Sequence, residues 1–300
     1  MQALLDAIAR AAPGQDACRI FHGRGGLYPG CEHLSLDWFA PVWLLTSFEP
    51  LGQEALGAVH AALAQRPEPL NWVYQCRQSG QGTETRLMAG SVPEPHTVHE
   101  QGAQYRVHVL KGQNHGLFLD MATGRQWLRA QAQGQRVLNL FAYTCAFSVA
   151  ALPGGATEVV NLDMAAGALA IGQQNHRLND LPGARFLAHD LFKSWGKVKR
   201  LGPYDTVVAD PPSYQKGSFV ASKDYARLVR RLPELLAPGG QALLCLNAPE
   251  LPSAFLRDLV ATEVPELRFV RRLDNPAVYD DVDPERALKV LLFELRSGPG

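Results

Sequence analysis

The sequence has 300 residues, which allows one large or two modest domains with a packed core. Apolar residues make up 46% and charged residues 19%, the composition of an ordinary globular protein. Lysine plus arginine and aspartate plus glutamate both number 29, so an RNA substrate would have to be held by a local basic patch rather than by bulk charge.

Membrane, secretory and disulfide-rich classes are disfavoured. No run of about 18 apolar residues occurs, so we expect no membrane span. The amino terminus lacks a basic segment followed by an apolar stretch, so we expect no signal peptide. The five cysteines are an odd number without metal-type spacing. This favours reduced thiols in the cytoplasm over a disulfide framework or a metal site.

The first part of the chain, residues 1–100, is predicted to form a small α+β domain. Its first residues have the apolar spacing of a short amphipathic helix, and the same spacing recurs over residues 51–65. Residues 71–75 alternate like a strand, and a glycine cluster at 23–30 indicates turns.

The second part, residues 101–300, alternates between predicted strands and helices. This order implies a mainly parallel, doubly wound α/β sheet. The predicted strands begin with an apolar segment at Val137 and continue at 157–162, 185–188, 204–209, 241–246, 268–273 and 288–295. The predicted helices lie at 165–178, 222–236 and 252–260.

An aspartate follows each of three predicted strands. Open α/β sheets bind nucleotides at the carboxyl ends of their strands, at a topological switch point. Asp163 could accept both hydroxyls of a ribose, a role compatible with capping the next helix. Asp190 could accept from an adenine amino group. The turn after the first strand is rich in small residues, which lets backbone approach a ligand.

The most specific local motif is DPPSY at 210–214, after the fourth strand. Pro211 and Pro212 stiffen the turn and lack N–H donors, so their carbonyl groups remain as acceptors. With Asp210 they could accept hydrogens from an amino or ring nitrogen held beside a methyl donor. Tyr214 could stack on a base, worth about 1–3 kcal/mol. The alternative is a structural proline-rich loop with a core tyrosine.

Two further segments complete the pattern: KGQNHGLFLD at 111–120 with Arg125, and LNLFAYTCAFSVAAL at 138–152. Together with the acids and DPPSY, they resemble a class I S-adenosylmethionine-dependent methyltransferase over about residues 100–300. The nearest likeness is to the group that contains the large-subunit ribosomal RNA cytosine carbon-5 and guanine methyltransferases. Segment 19–37 also resembles the small domain that precedes the catalytic domain in that group.

The resemblance implies a Rossmann-like sheet with S-adenosylmethionine bound over the strand ends. Asp163 would hold the ribose, Asp190 the adenine, and Asp210 would face the transferred methyl group. The residues implied in cofactor binding are Phe118, Asp120, Arg125, Asn139, Tyr143, Thr144, Asp163, Met164, Asp190, Leu191 and Asp210.

Two positions depart from the family pattern. Cys145 stands where the family usually has glycine, which costs backbone freedom. Ala248 stands where the cytosine carbon-5 enzymes place a nucleophilic cysteine, and Cys245 is predicted to lie inside the preceding strand. Attack on carbon-6 needs an accessible thiolate, so carbon-5 chemistry is disfavoured.

The sequence therefore predicts a cytoplasmic methyltransferase that acts on a base nitrogen, with ribosomal RNA as the favoured substrate. The predicted catalytic residues are Asp210, Pro211, Pro212 and Tyr214. Three alternatives stay open: cytosine carbon-5 methylation with a repositioned Cys245, methylation of a protein or small-molecule nitrogen, and a non-catalytic cofactor- and RNA-binding module. The sequence carries no signal for an oligomeric state.

Overall fold

The computed structural model describes residues 1–78, 80, 82–215 and 217–296. The chain divides into two compact units. The first comprises Met1–Asp120 and Pro276–Pro284, and the second comprises Met121–Asn275 and Glu285–Gly300. The first unit thus continues to Asp120, past the boundary that the sequence places at residue 100, and takes in a segment from near the end of the chain. None of the helices in the described ranges is long and apolar enough to span a membrane.

The first unit combines one sheet with two helices and a separate hairpin. β3 and β4 pair in parallel, whereas the other neighbours in the order β1-β2-β3-β4-β5 are antiparallel. The sheet strands are β1 (Cys18–His22), β2 (Leu34–Phe39), β3 (Val42–Ser47), β4 (Trp72–Gln78) and β5 (Gly82–Ala89). The helices are α1 (Gln2–Arg10) and α2 (Gln53–Ala64), and the hairpin is β6 (His96–Glu100) with β7 (Ala103–Val107).

The two faces of the β1–β5 sheet differ in chemistry. Leu36 and Trp38 pack with apolar residues of α1 and α2. Successive strand residues point to opposite faces, so Asp37 points away from the helices. Thr46 and Gln75 share its face, and all three are buried although they are polar. The face away from the helices therefore combines these buried polar side chains with buried apolar ones, such as Leu44 and Val73.

The second unit is built on a sheet with the order β10-β9-β8-β11-β14-β16-β15. Neighbours from β10 to β14 pair in parallel, and β16 is antiparallel to both its neighbours. This confirms the predicted doubly wound α/β class. The strands are β8 (Arg136–Leu140), β9 (Glu158–Asp163), β10 (Ala184–Ala188), β11 (Tyr204–Ala209), β14 (Leu236–Leu246), β15 (Leu267–Leu273) and β16 (Lys289–Leu295), with a small hairpin of β12 (Tyr214–Gln215) and β13 (Phe219–Val220).

Helices connect the strands of this sheet. They are α3 (Ala122–Gln131), α4 (Ala146–Ala151), α5 (Ala166–Leu178), α6 (Trp195–Leu201), α7 (Ala221–Val229), α8 (Leu232–Leu235) and α9 (Ser253–Glu263). The single helix predicted over 222–236 is two helices, α7 and α8. Pro233 explains the break, because a proline inside a continuous helix has no N–H to donate to the preceding turn.

The direction in which strands are added reverses between β8 and β11. From β8 the chain adds β9 and then β10 on one side, and it returns to add β11 and β14 on the other. The carboxyl ends of β8 and β11 therefore flank the topological switch point, where sheets of this kind bind ligands.

Candidate functional site

The strand register brings the predicted acids to one edge of the sheet. Leu140 pairs with Leu162 on one side and with Ala209 on the other. Ala188 pairs with Asp163. Asp163, Asp190 and Asp210 therefore all lie at the carboxyl edge of the sheet.

The loop of residues 141–145, between β8 and α4, has an unusual backbone. Phe141, Tyr143 and Cys145 have φ values of 57°, 48° and 62°. Residues other than glycine rarely adopt this left-handed region, and such strain persists only where surrounding contacts enforce it. One of those contacts is the N–H of Tyr143, which donates to Oδ2 of Asp163 at 2.8 Å.

Asp163 is fixed by two backbone donors, one on each carboxylate oxygen. Oδ2 accepts from Tyr143, and Oδ1 accepts from the N–H of Ala165 at 2.8 Å. An ionised carboxylate has about four acceptor positions, so each oxygen keeps one for a ligand. This arrangement suits the two hydroxyls of a ribose, and that role remains a prediction. The N-cap of α5 is Ala165, so Asp163 is not the capping residue of that helix.

Asp190 is held in a similar way at the end of β10. Its Oδ1 accepts from the N–H of Phe192 at 2.9 Å, and Nζ of Lys193 lies 3.5 Å from Oδ2. The two residues that follow the acids differ. Leu191 is buried in the apolar core, whereas the Met164 side chain is 48% exposed, and the contacts of both with the cofactor remain predictions.

A chain of buried polar side chains lies behind the loop, and the sequence did not predict it. Nδ2 of Asn139 donates to Oδ1 of Asn161 at 2.9 Å, and Nδ2 of Asn161 donates to Oγ of Ser148 at 3.1 Å. Oγ of Ser148 lies 2.7 Å from Nε2 of His176, and Nδ1 of His176 lies 2.7 Å from the carbonyl oxygen of Gly172.

The protonation pattern of this chain follows from its geometry. Burial lowers the pKa of His176 despite the carbonyl of Gly172, so the ring is neutral. Nδ1 must donate to that carbonyl, and Nε2 must therefore accept from the hydroxyl of Ser148. Asn139, which the resemblance implies in cofactor binding, is buried, and its amide donates to Asn161. Its contact with the cofactor remains a prediction.

Thr144 and Cys145 are held against α5. Nδ2 of Asn175 donates to the carbonyl oxygen of Thr144 at 3.0 Å. Cys145 is buried, and a Cβ added at Gly172 would lie 2.5 Å from its Sγ. Gly172 thus makes room for the cysteine that stands where the family usually has glycine.

We expect Gly172→Ala to lower the stability of the protein by about 1–3 kcal/mol, because the added methyl group overlaps Sγ of Cys145. Gly167→Ala, on the same helix with open space around it, is the matched control and should be neutral or stabilising. Thermal unfolding measures both. Adding Cys145→Gly should relieve most of the Gly172→Ala loss, and no relief in the double variant would contradict this packing account.

The DPPSY loop continues directly from β11. The carbonyl oxygen of Ser213 accepts from the N–H of Ala221 at 3.0 Å, and Tyr214 pairs with Val220. The ring of Tyr214 is 70% exposed, which excludes the core-tyrosine alternative. No described residue donates a hydrogen bond to the carbonyl oxygens of Pro211 or Pro212.

The residues of the GLFLD segment are divided between the two units. Phe118 and Asp120 belong to the first unit, where Phe118 is 41% exposed and Asp120 lies in a short 3₁₀ turn. Arg125 belongs to the second unit, where it is buried in α3. Their implied contacts with the cofactor remain predictions.

No thiol occupies the position of a carbon-5 nucleophile. Cys245 lies inside β14 with its side chain in the apolar core. Ala248 is buried, and its carbonyl oxygen accepts from Nζ of Lys289 at 2.9 Å. Burial and then Asp163 raise the pKa of Cys145, which is also buried. Within the described ranges, no group of three or more His, Cys, Asp or Glu side chains could hold a metal ion.

The comparisons with known proteins agree on methyltransferases. A family model for S-adenosylmethionine-dependent methyltransferases matches residues 18–294. Ribosomal RNA large subunit methyltransferase I of Aeromonas salmonicida is 34% identical over 192 residues, which is 62% of this chain and 48% of the relative. The protein of the same name from Erwinia tasmaniensis is 28% identical over 284 residues, covering 88% of this chain and 71% of the relative.

The solved structures agree with the sequence relatives. A crystal structure of a candidate methyltransferase complexed with SAH has a TM-score of 0.84 at 25% identity and covers 98% of this chain and 79% of that one. A structure from Streptococcus mutans has a TM-score of 0.85 at 24% identity, covers 98% of this chain and 81% of that one, and supports the fold alone. The chain spans about half the length of its two Aeromonas relatives, 48% and 49%.

Proposed function

This chain belongs to the S-adenosylmethionine-dependent methyltransferase family, and we propose that it methylates a base nitrogen in ribosomal RNA. The observation that carries the choice of nitrogen is the DPPSY loop, whose Pro211 and Pro212 carbonyl oxygens accept from no described residue. The names of the relatives support ribosomal RNA as the substrate, since both Aeromonas and Erwinia proteins are ribosomal RNA large subunit methyltransferases.

The residues at the strand ends fit the cofactor. When bound, S-adenosylmethionine supplies an electrophilic methyl group on a sulfonium sulfur. Asp163 offers one acceptor position on each oxygen to the ribose hydroxyls, and charged hydrogen bonds of this kind contribute about 1.5–3 kcal/mol each. Asp190 keeps acceptor capacity for an adenine amino group, because Oδ2 has only the longer contact with Lys193.

The DPPSY loop orients the acceptor. The carbonyl groups of Pro211 and Pro212 accept hydrogen bonds from a base amino group or ring nitrogen. These bonds orient the lone pair of that nitrogen towards the methyl group. Asp210 takes up the proton that the nitrogen loses as its bond to the methyl carbon forms. Tyr214 stacks on the base. Such positioning of two reactants can supply roughly 7–11 kcal/mol of the barrier.

We place the enzyme in the cytoplasm. All five cysteines are free, and four of them are buried. Burial and then Asp37 and Asp16 raise the pKa of the remaining one, Cys18, to about 11. Thiols of this kind are typical of a reducing compartment.

The acceptor atom is tested with Cys245→Ser. Direct transfer to nitrogen forms no bond between the base and the enzyme, so this variant should keep methyl transfer to RNA within about 10-fold, a barrier change of about 1.4 kcal/mol. Transfer of a tritiated methyl group to bulk RNA measures the rate. RNA that contains 5-fluorocytosine should form no covalent complex with the wild-type protein.

Cys76→Ser is the matched control, since Cys76 is also buried but lies in the first unit. A trapped adduct that disappears in Cys245→Ser would restore the carbon-5 alternative. Wild-type protein that binds S-adenosylmethionine but transfers no methyl group to any RNA fraction would overturn the RNA assignment itself.

A further inference from the structure

Positive charge is concentrated in two segments of the second unit. Residues 190–200 contain four basic side chains and one acid, and residues 221–234 contain four basic side chains and two acids. All eight basic side chains are exposed. Over the whole chain the two signs balance at 29 each. The two segments therefore supply the local positive charge that a chain of zero net charge needs to bind a polyanion.

Aromatic rings join the two segments. The guanidinium carbon of Arg227 lies 3.9 Å from the centroid of the Phe192 ring, and that of Arg231 lies 5.9 Å from the centroid of the Trp195 ring. The two rings are 6.0 Å apart, at an interplanar angle of 74°. We call these four residues the arginine–aromatic cluster. Stacking on a ring restrains the plane of a guanidinium and leaves its N–H edges accessible.

Both arginines of the cluster keep one such edge open. Nη1 of Arg227 donates to Oδ1 of Asp224 at 2.8 Å, and Nη1 of Arg231 donates to Oε1 of Glu234 at 3.0 Å. In the described ranges, Nε and Nη2 of the two arginines donate to no residue. Each guanidinium therefore retains the donor pair formed by Nε and Nη2.

Arg230 shows what this donor pair does when an anion is present. Its Nε and Nη2 donate to the two oxygens of Glu263, at 2.6 and 2.8 Å. Such a planar pair of donors matches two oxygens of a carboxylate or of a phosphate. The same pairs on Arg227 and Arg231 are available for an anion from outside the protein.

Cations outnumber carboxylates around the cluster. Glu234 is shared between Arg231 and Lys199, whose Nζ lies 3.0 Å from Oε2. Arg200 on α6 and Lys223 on α7 are exposed and bond to no residue that the structure describes. A bound anion would therefore meet an excess of positive charge.

The cluster is connected to the DPPSY loop through the hairpin of β12 and β13. The ring of Phe192 lies 6.3 Å from that of Phe219, nearly parallel to it at 15°. Phe219 pairs with Gln215, and its neighbour Val220 pairs with Tyr214. A base held at the DPPSY loop would bring the nucleotides next to it towards this surface.

We propose that Arg227 and Arg231 bind phosphate groups of the RNA strand beside the target nucleotide, each through its Nε and Nη2. The rings of Phe192 and Trp195 restrain the two guanidiniums, so less side-chain entropy is lost when the phosphates bind. The choice of RNA rests on the proposed function, whereas the open donor pairs rest on the geometry of the second unit.

Binding of a fluorescein-labelled oligouridine of about 12 nucleotides, followed by fluorescence anisotropy over a range of salt concentrations, tests the proposal. Loss of one phosphate contact should reduce the slope of log affinity against log salt by about 0.7. Arg227→Gln and Arg231→Gln should each show this reduced slope and bind about 10-fold more weakly, and their effects on the slope should add in the double variant. Arg257→Gln is the matched control, because Arg257 is exposed and lies 4.8 Å from the ring centroid of Phe269, outside both segments.

Arg227→Lys separates a phosphate contact from general damage. Lysine keeps the charge but lacks the planar pair of donors, so this variant should keep the salt slope of the wild type and bind more weakly. Unchanged slopes in both glutamine variants and in the double variant would overturn the site. Wild-type affinity that does not depend on salt would overturn the choice of RNA in favour of an acidic protein surface.

Two further measurements separate this site from the fold and from the proposed function. Affinity for S-adenosylmethionine, measured by calorimetry, should be unchanged in all the variants, which shows that they are folded. Methyl transfer to RNA together with unchanged salt slopes overturns the site and leaves the proposed function standing. Reduced slopes in a protein that transfers no methyl group to any RNA fraction overturn the proposed function and leave the phosphate site standing.

Discussion

Replacing Asp210 with alanine is expected to lower kcat by about 100-fold or more, with a much smaller change in affinity for S-adenosylmethionine. Asp210 directly follows β11 at the switch point, and it is the only acid of the DPPSY loop. Its proposed task, taking up the proton of the acceptor nitrogen, concerns the reacting atoms rather than the cofactor. Single-turnover rates at saturating cofactor measure this directly.

Tyr214 provides a companion to that experiment. Tyr214→Ala removes an exposed ring that is proposed to stack on the base, so kcat/KM for RNA should fall by about 10-fold or more, whereas Tyr214→Phe should keep most of it. Asp258→Ala, an exposed acid on α9, is the control for Asp210→Ala. Variants that lose cofactor affinity but keep normal rates when saturated would contradict the acceptor assignment.

The main features of the second unit could be predicted because they depend on short-range patterns. Three of the parallel strands, β9, β10 and β11, have an aspartate at or just after their carboxyl end, and the intervening helices have apolar residues at helical spacing. The register then places the strand ends side by side without further information. The break between α7 and α8 could also have been predicted from Pro233, although the helical spacing alone predicts a single helix.

Features that depend on contacts distant in sequence could not be predicted. The segment 276–284 belongs to the first unit partly because the N–H of Val282 donates to the carbonyl oxygen of Gly25 at 2.8 Å. The hydrogen bond between Ser148 and His176 likewise joins two helices. The buried pair of asparagines could have been predicted from the sequence. Asn139 and Asn161 interrupt two apolar strands, and they lie opposite one another in the sheet.

The left-handed backbone of the loop at 141–145 could be predicted at one position only, and only from the resemblance to the family. The left-handed conformation of Cys145 is the reason that glycine suits this position, and only the family pattern indicated it. Phe141 and Tyr143 adopt the same region without glycine, so nothing in their residue types predicts it. Tyr143 is restrained there by Asp163, which makes that acid important for the loop as well as for the ligand.

Asp163→Ala should therefore weaken binding of S-adenosylmethionine by about 100-fold. The variant loses both proposed hydrogen bonds to the ribose hydroxyls, and each contributes about 1.5–3 kcal/mol, which is at least about 10-fold in affinity. The variant also loses the acceptor that fixes Tyr143, so the loop must be ordered again when the cofactor binds. Isothermal titration of the folded variant measures the affinity, with Asp258→Ala as the control.

Asp163→Asn sharpens this last test. The two oxygens of Asp163 each accept from a backbone N–H, those of Tyr143 and Ala165. An asparagine would turn its NH₂ group towards one of these donors, and two donors cannot satisfy each other. We therefore expect Asp163→Asn to bind the cofactor almost as weakly as Asp163→Ala, although it is nearly isosteric with aspartate. Near wild-type affinity in Asp163→Asn would show that the carboxylate is not the ribose acceptor and that the two backbone hydrogen bonds do not order the loop.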